Sequence, residues 1–224
     1  MSQKRTNVSF LVRLESVIET YRLDINASQK TQLLEYLEQL SKWNKTYNLT
    51  AIRDQEQALI QHLFDSLSIV HPLKQYLQKR EVAHPCIMDV GSGGGLPGVI
   101  LAITLPEASV ICIDAVEKKI AFIKHVASVL QLKNLKALHT RIEELPAAGM
   151  DIVTSRAFAS LKDFANLSGK HVLINGVLVA MKGKQPTQEI SELDDTDWVV
   201  KNIETLMVPE LDAERCLVWM QRKG

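Results

Sequence analysis

Between Ile87 and Gly98 the chain reads IMDVGSGGGLPG, with five glycines in its last eight residues. They directly follow a short apolar run. Glycine permits positive φ and lets a ligand approach the main chain closely. A bare turn at the end of a strand therefore suits a nucleotide-type cofactor. Asp114 closes the next apolar run, about twenty residues on, where an acidic side chain can hydrogen-bond ribose hydroxyls. Arg156 follows the run DIVTS, which places it at the carboxyl edge of a strand, and its guanidinium suits a carboxylate. His62, Asp65 and Ser66 share a helical face by their i, i+3, i+4 spacing. Read alone, that face is solvated, Glu143 is a solvated helix residue, and Arg156 fits a structural ion pair as well as a ligand contact.

Two cofactors fit a loop of this kind. G-x-G-x-x-G can be matched from Gly93 through Gly95 to Gly98, but this starts two residues late, because the strand ends at Val90. Counted from Gly91, the third dinucleotide glycine falls on Leu96 and is missing. What remains is Asp-x-Gly-x-Gly-x-Gly, formed by Asp89, Gly91, Gly93 and Gly95. This is similar to the first motif of class I S-adenosylmethionine-dependent methyltransferases.

The surrounding elements must position these residues. Three helices precede the glycines. Ser9 can cap the first, through about Tyr21, with Leu11, Leu14, Val17 and Ile18 as its stripe. Ser28 can cap the second, where Leu33, Leu37 and Leu40 recur towards Trp43. Asp54 with Gln57 resembles a capping box opening the third, whose stripe Leu59, Leu63, Leu67 and Val70 ends near Pro72. Trp43 and Tyr47 read as packing aromatics, and Lys74 to Pro85 as a further helix or linker. From Cys86 onward strand-like runs alternate with helical ones: Cys86–Val90, Ser109–Asp114, Leu135–His139, Asp151–Ser155 and Gly176–Met181. That alternation predicts a mostly parallel, doubly wound α/β sheet. Trp198–Val208 and Arg215–Arg222 have no helix between them and read as an antiparallel pair added to it. The expected organisation is a helical extension over 1–85 and a cofactor-binding domain over 86–224.

Several segments together resemble one family. They are NLTAI at 48–52, HLFDSL at 62–67, the loop from Asp89 to Gly98, RIEE at 141–144, SRAFA at 155–159 and KG at 182–183. The resemblance, from about Leu33 onward, is to the bacterial small-subunit ribosomal RNA methyltransferases that modify guanine N7, also called glucose-inhibited division protein B. It implies a seven-stranded class I fold, S-adenosylmethionine as cofactor, and binding through Gly91, Leu96, Ile142, Glu143 and Arg156. It implies an enzyme acting on 16S ribosomal RNA or the small-subunit particle, at the guanine of the 530 loop (527 in the usual rRNA numbering). His62, Asp65, Ser66, Arg156 and Lys182 would then line the RNA side. Two departures stand out. Gly94 replaces a frequent alanine or proline, and DAVEKK at 114–119 replaces a DSLGKR-like run.

Guanine N7 carries a free lone pair, so no catalytic base is expected; catalysis is mostly placement. Lys118, Lys119, Lys124, Lys182, Lys184, Arg53 and Arg80 are candidates for phosphate contacts. Three other readings stay open: a small-molecule or other RNA methyltransferase of the same class, an NAD(P)-dependent oxidoreductase, and a non-catalytic binding module.

Composition sets the frame. The 224 residues carry 26 Lys plus Arg and 26 Asp plus Glu, a formal net charge of zero. That counts against indiscriminate nucleic-acid binding, so a polyanion partner must use a local patch. No apolar run is long enough to span a membrane, and the basic N-terminus leads into no apolar segment that would make a signal peptide. Cys86, Cys112 and Cys216 form no C-x-x-C pair, which predicts neither a disulfide framework nor a metal site. A monomer in a reducing cytoplasm is expected.

Overall fold

The computed structural model describes residues 2–156, 158 and 160–224. Among them seven strands form one sheet, in the order β3-β2-β1-β4-β5-β7-β6. These are β1 (Cys86–Val90), β2 (Ser109–Asp114), β3 (Leu135–His139), β4 (Met150–Ser155), β5 (Val172–Lys182), β6 (Trp198–Leu206) and β7 (Arg215–Arg222). Strands β3, β2, β1, β4 and β5 run parallel to one another, while β7 runs antiparallel to both β5 and β6. The chain reverses its direction of strand addition at β1, and the carboxyl ends of β1 and β4 open there, as in other doubly wound sheets.

Helices α1 (Ser2–Thr20) and α2 (Ala27–Tyr47) lead the chain. The first starts earlier than the Ser9 cap suggested. The second is capped by Asn26, not Ser28: the Asn26 side chain accepts from Gln29 N, and the Gln29 side chain accepts from Asn26 N. That reciprocal pair satisfies two end amides at once. Asp54 does cap α3 (Gln55–Ala58), by accepting from Gln57 N. The same stretch then widens into π-helical turns over Leu59–Phe64 and closes as α4 (Asp65–Leu67). Pro72 does not end a helix. It lies in the first turn of α5 (Val70–Lys79), where its missing N–H is harmless.

The remaining helices are α6 (Gly98–Thr104), α7 (Glu117–Val129), α8 (Leu161–Ser168) and the short α9 (Thr187–Ser191). Residues Ile142–Glu144 and Gly169–His171 form 3-10 turns. One face of the sheet carries α8 and a core containing Leu161, Phe164 and Trp198. The other buries Ile87, Val110 and Val179 against α6, α7 and the N-terminal helices in a single continuous cluster that includes Leu14, Leu33 and Leu63. The boundary expected at residue 85 therefore does not separate two cores. No described helix is long and apolar enough to cross a membrane.

Candidate functional site

The glycine loop is held from below by the end of β2. Ile113 O accepts from Gly91 N at 2.8 Å and from Ser92 N at 3.0 Å. Asp114 Oδ2 accepts from Gly93 N and Oδ1 from Val116 N, both at 2.9 Å, and Lys119 Nζ stands 3.4 Å from Oδ2. Asp114 thus ties the loop to the turn after β2. Gly91, Gly93 and Gly95 all take positive φ (68°, 58° and 88°). A Cβ on Gly95 would collide with Val99 and crowd Ile123, whereas one on Gly93 would meet nothing within 4 Å. The Gly93 face is open; the Gly95 face is packed. Behind the loop, the Tyr36 hydroxyl of α2 donates to Gly94 O at 2.7 Å, and Leu40 lies against Gly94.

Asp89 anchors α6, accepting from Gly98 N at 2.8 Å. Burial raises its pKa to about 7, against the opposing effect of that amide. The group is inside the protein, so it shapes the loop and does not touch solvent.

Two cavities meet at Gly91. One, of about 250 Å³, is edged by Asp114, Ala115, Ile142, Glu143 and Phe158. There Ile142 is buried, its carbonyl accepting from His171 Nε2 at 3.1 Å. Glu143 is exposed, and Lys170 Nζ donates to its backbone oxygen at 2.7 Å. The other, of about 190 Å³, is edged by Gly93, Leu96, Leu49, Thr50, His62 and Arg156. A larger cavity of about 390 Å³ opens between α1, α2 and residues 50–58, and shares only Leu40 and Thr50 with the second one. It touches no residue of the glycine loop.

The His62, Asp65 and Ser66 face is not solvated. All three side chains are buried, Ser66 completely, and Thr50, Arg156 and Arg215 meet this face. As a face for RNA these residues are therefore covered. Asp65 accepts from Arg156 Nη1 at 3.1 Å through Oδ2 and from Arg215 Nε at 2.8 Å through Oδ1. Arg156 Nη1 also reaches Gln61 O at 3.3 Å, in the π-helical stretch. His62 Nε2 lies 2.9 Å from Thr50 Oγ1. Burial first, then the Arg156 charge, lowers its pKa to about 4, so the imidazole is neutral at physiological pH.

Lys182 is also occupied: Nζ donates to Glu189 at 2.8 Å and to Phe158 O at 3.3 Å, while Glu189 accepts from Leu161 N. The pair thus meets Phe158 and the start of α8. Ala157 and Ala159 of SRAFA lie outside the described residues. Of the other basic candidates, Arg53, Arg80, Lys118, Lys124 and Lys184 are exposed, whereas Lys119 faces Asp114. Among the described residues, no cluster of His, Cys, Asp and Glu is arranged to hold a metal. Trp43 does pack, against Phe122 and His125, with Tyr47 half exposed beside it.

Sequence reasoning gave no place at the site to Arg215, Tyr36, Leu40 or Glu189. Arg215 merely opens a β-rich run, and its partner is 150 residues away. Thr50 sat in the NLTAI segment without a role.

The strand order, the antiparallel final pair, the glycine turn after β1 and the acid closing β2 define a class I S-adenosylmethionine-dependent methyltransferase fold. The fold is similar to that of a ribosomal protein L11 methylase from Lactobacillus delbrueckii subsp. bulgaricus, with a TM-score of 0.54 at 13% identity, covering 76% of this chain and 80% of that one. It is also similar to a SAM-dependent methyltransferase from Aquifex aeolicus, with a TM-score of 0.52 at 17% identity, covering 70% and 92%. The family model described as rRNA small subunit methyltransferase G matches residues 29–218. A ribosomal RNA small subunit methyltransferase G from Bordetella avium is 56% identical, covering 99% of this chain and 98% of its own. One from Polaromonas is 48% identical, covering 94% and 93%. The chain belongs to the rRNA small subunit methyltransferase G family.

Proposed function

We propose that the protein transfers a methyl group from S-adenosylmethionine to N7 of a specific guanine in 16S ribosomal RNA, in the 530 loop. The observation that carries the cofactor part is the pair of unlike cavities meeting at Gly91. One has acidic residues at its edge, fitted to ribose hydroxyls; the other has a guanidinium, fitted to a carboxylate. Gly93, with open space where a Cβ would stand, fits a ligand laid across the loop. The RNA part rests on the family, whose members carry that substrate in their names, and the N7 atom on the motif resemblance.

In this reading Gly91, Gly93, Gly95 and Leu96 form the floor. A carboxylate has about four acceptor positions, and Asp114 uses three of them on Gly93, Val116 and Lys119. Its main work is thus to fix the loop, and the exposed carboxylate of Glu143, beside Ile142, takes the ribose. Arg156 presents its guanidinium in the other cavity. S-adenosylmethionine supplies a methyl group already activated on a sulfonium that leaves as a neutral thioether. N7 needs no deprotonation, which agrees with a neutral, buried His62 and an Asp65 that is fully engaged. Both position; neither takes a proton. His62, Asp65, Ser66 and Lys182 act from inside the protein, and exposed Arg53, Lys118, Lys124 and Lys184 meet phosphates. A splayed loop base is the substrate form, since duplex RNA hides N7 in its deep groove.

The test is incubation with S-adenosylmethionine and either bare 16S RNA or small-subunit particles from a strain lacking the modification, followed by mass-spectrometric mapping. A methyl group on guanine N7 in that loop is expected. Methylation elsewhere, or of neither substrate, overturns the proposal.

A further inference from the structure

Asp65 is a buried carboxylate placed between two guanidiniums that come from opposite ends of the sheet's history in the chain. Arg156 follows β4, Arg215 opens β7, and Asp65 belongs to the helical segment before β1. Asp65 is 3% exposed, whereas the two arginine side chains keep about a quarter of their surface. Each carboxylate oxygen serves one arginine. Arg156 spends only Nη1, on Asp65 and on Gln61 O; among the described residues its Nε and Nη2 make no hydrogen bond. Arg215 turns its Nη1 to the carbonyl of Glu214. The trio carries one positive charge more than it balances, and of its members Arg156 lines the cavity with Gly93, Leu96 and Thr50.

From this we infer that Asp65 and Arg215 are positioning residues: Asp65 holds Arg156 by a single nitrogen so that the rest of its fork stays available to an anion in the cavity, and Arg215 holds Asp65. The anion fitted here is the amino-acid carboxylate of the cofactor. The inference rests on the S-adenosylmethionine reading of the site. Two features favour positioning over mere support. A carboxylate that only needed burial with a counter-charge is satisfied by one guanidinium, and here it takes two. A guanidinium used only for structure spends its donors on the protein, and Arg156 leaves two nitrogens unspent.

The experiment uses calorimetric affinity for two ligands, S-adenosylmethionine and 5′-methylthioadenosine, which lacks the amino-acid end, with melting temperature measured without ligand. Asp65→Asn is expected to weaken S-adenosylmethionine by about tenfold or more, the size of a hydrogen bond to a charged group. It should change 5′-methylthioadenosine little. Combined with Arg156→Ala it should add nothing to Arg156→Ala alone, because both remove the same contact. Arg215→Gln should show a smaller loss with the same ligand selectivity, and Arg215→Lys should recover part of it.

If Asp65→Asn and Arg156→Ala multiply, or weaken both ligands equally alongside a lower melting temperature, Asp65 is structural and the positioning pair falls. If Arg156→Ala weakens S-adenosylmethionine and Asp65→Asn does not, the pair falls while the cofactor reading of Arg156 stands. If Arg156→Ala leaves both affinities intact, that reading falls first and takes the pair with it. Should Asp65→Asn fail to fold, Arg215→Gln carries the same comparison with the carboxylate still in place.

Discussion

The two cavities on either side of Gly91 are built by different means. On the Asp114 side, short-range main-chain geometry does the work: the end of one strand, the turn after it and a 3-10 turn at Ile142–Glu144. Glu143, the residue proposed to meet the ribose, is an exposed side chain on that backbone. On the Arg156 side, a smaller volume is edged by side chains from α2, the 49–50 stretch and the π-helical turns and by Arg156 just after β4, with Arg215 of β7 reaching it only through Asp65. A site made of main chain fails only when the main chain cannot adopt its shape. A site made of buried charges fails whenever one partner is lost, because the others then stand unpaired in a poorly solvated place.

The largest effect should come from the shared floor. Gly95→Val puts a branched side chain at φ 88° and into Val99, so the loop that edges both cavities must shift. S-adenosylmethionine binding should vanish in calorimetry, and soluble yield should fall. If binding survives, the loop does not have the shape described. Next is Arg156→Ala, which spares the Asp114 side. Methyl transfer should drop at least about tenfold, the equivalent of about 1.4 kcal/mol. The melting temperature should also fall by a few degrees, because Asp65 loses one of its two partners. An alanine variant as active as the parent would leave Arg156 with its ion pair alone.

A smaller effect separates the sides by pH. The unfolded chain protonates His62 near pH 6.5 and the folded one only near 4, so acid favours unfolding across that window. Asp89 works the other way. It loses its proton near 3.8 when unfolded and near 7 when folded, so its contribution is full below about 4 and is lost as pH rises through 7. Comparing His62→Gln with the parent cancels Asp89. Denaturant titrations should show the variant gaining about 1 kcal/mol on the parent between pH 7 and 5.5; a flat difference would mean the imidazole titrates normally. The least effect belongs to the exposed side. Glu143→Gln should raise the KM for S-adenosylmethionine by roughly two- to fivefold, one neutral-for-charged hydrogen bond, with no change in melting temperature. A loss as large as that of Arg156→Ala would show that the two sides depend on their residues equally.

Legibility divides along the same line. The bounds of β1, β2, β3 and β7 match the apolar runs in the sequence, since each run is cut by a turn on both sides. The glycine loop was readable because its constraint is local. So was Asp54 as a cap, through Gln57 three residues on. The start of β5 was not, because Leu173 and Ile174 are exposed there and break the expected burial pattern. The polar face of His62, Asp65 and Ser66 looked solvated because helical spacing tells which residues share a side and nothing of what covers it. Here Thr50 and the distant Arg156 and Arg215 meet it. Without the family resemblance, which assigns Arg156 to the cofactor, sequence does not divide ion pair from ligand contact; the structure shows the ion pair to Asp65, and two unspent nitrogens among the described residues leave the other role compatible with it.

The separation between Asp65 and Arg215 also has a consequence in time. A ribosome makes roughly 5–20 residues per second, so the 150 residues between them take on the order of ten to thirty seconds. During synthesis Arg156 arrives before Arg215, and the carboxylate first meets half of its final compensation. The first helices can gather their apolar faces early, but the last strand must be laid down before the polar seam beneath them closes. A nascent chain arrested ahead of Arg215 should thus be cut by protease around Gln61–Asp65, and one arrested after β7 has been released should resist.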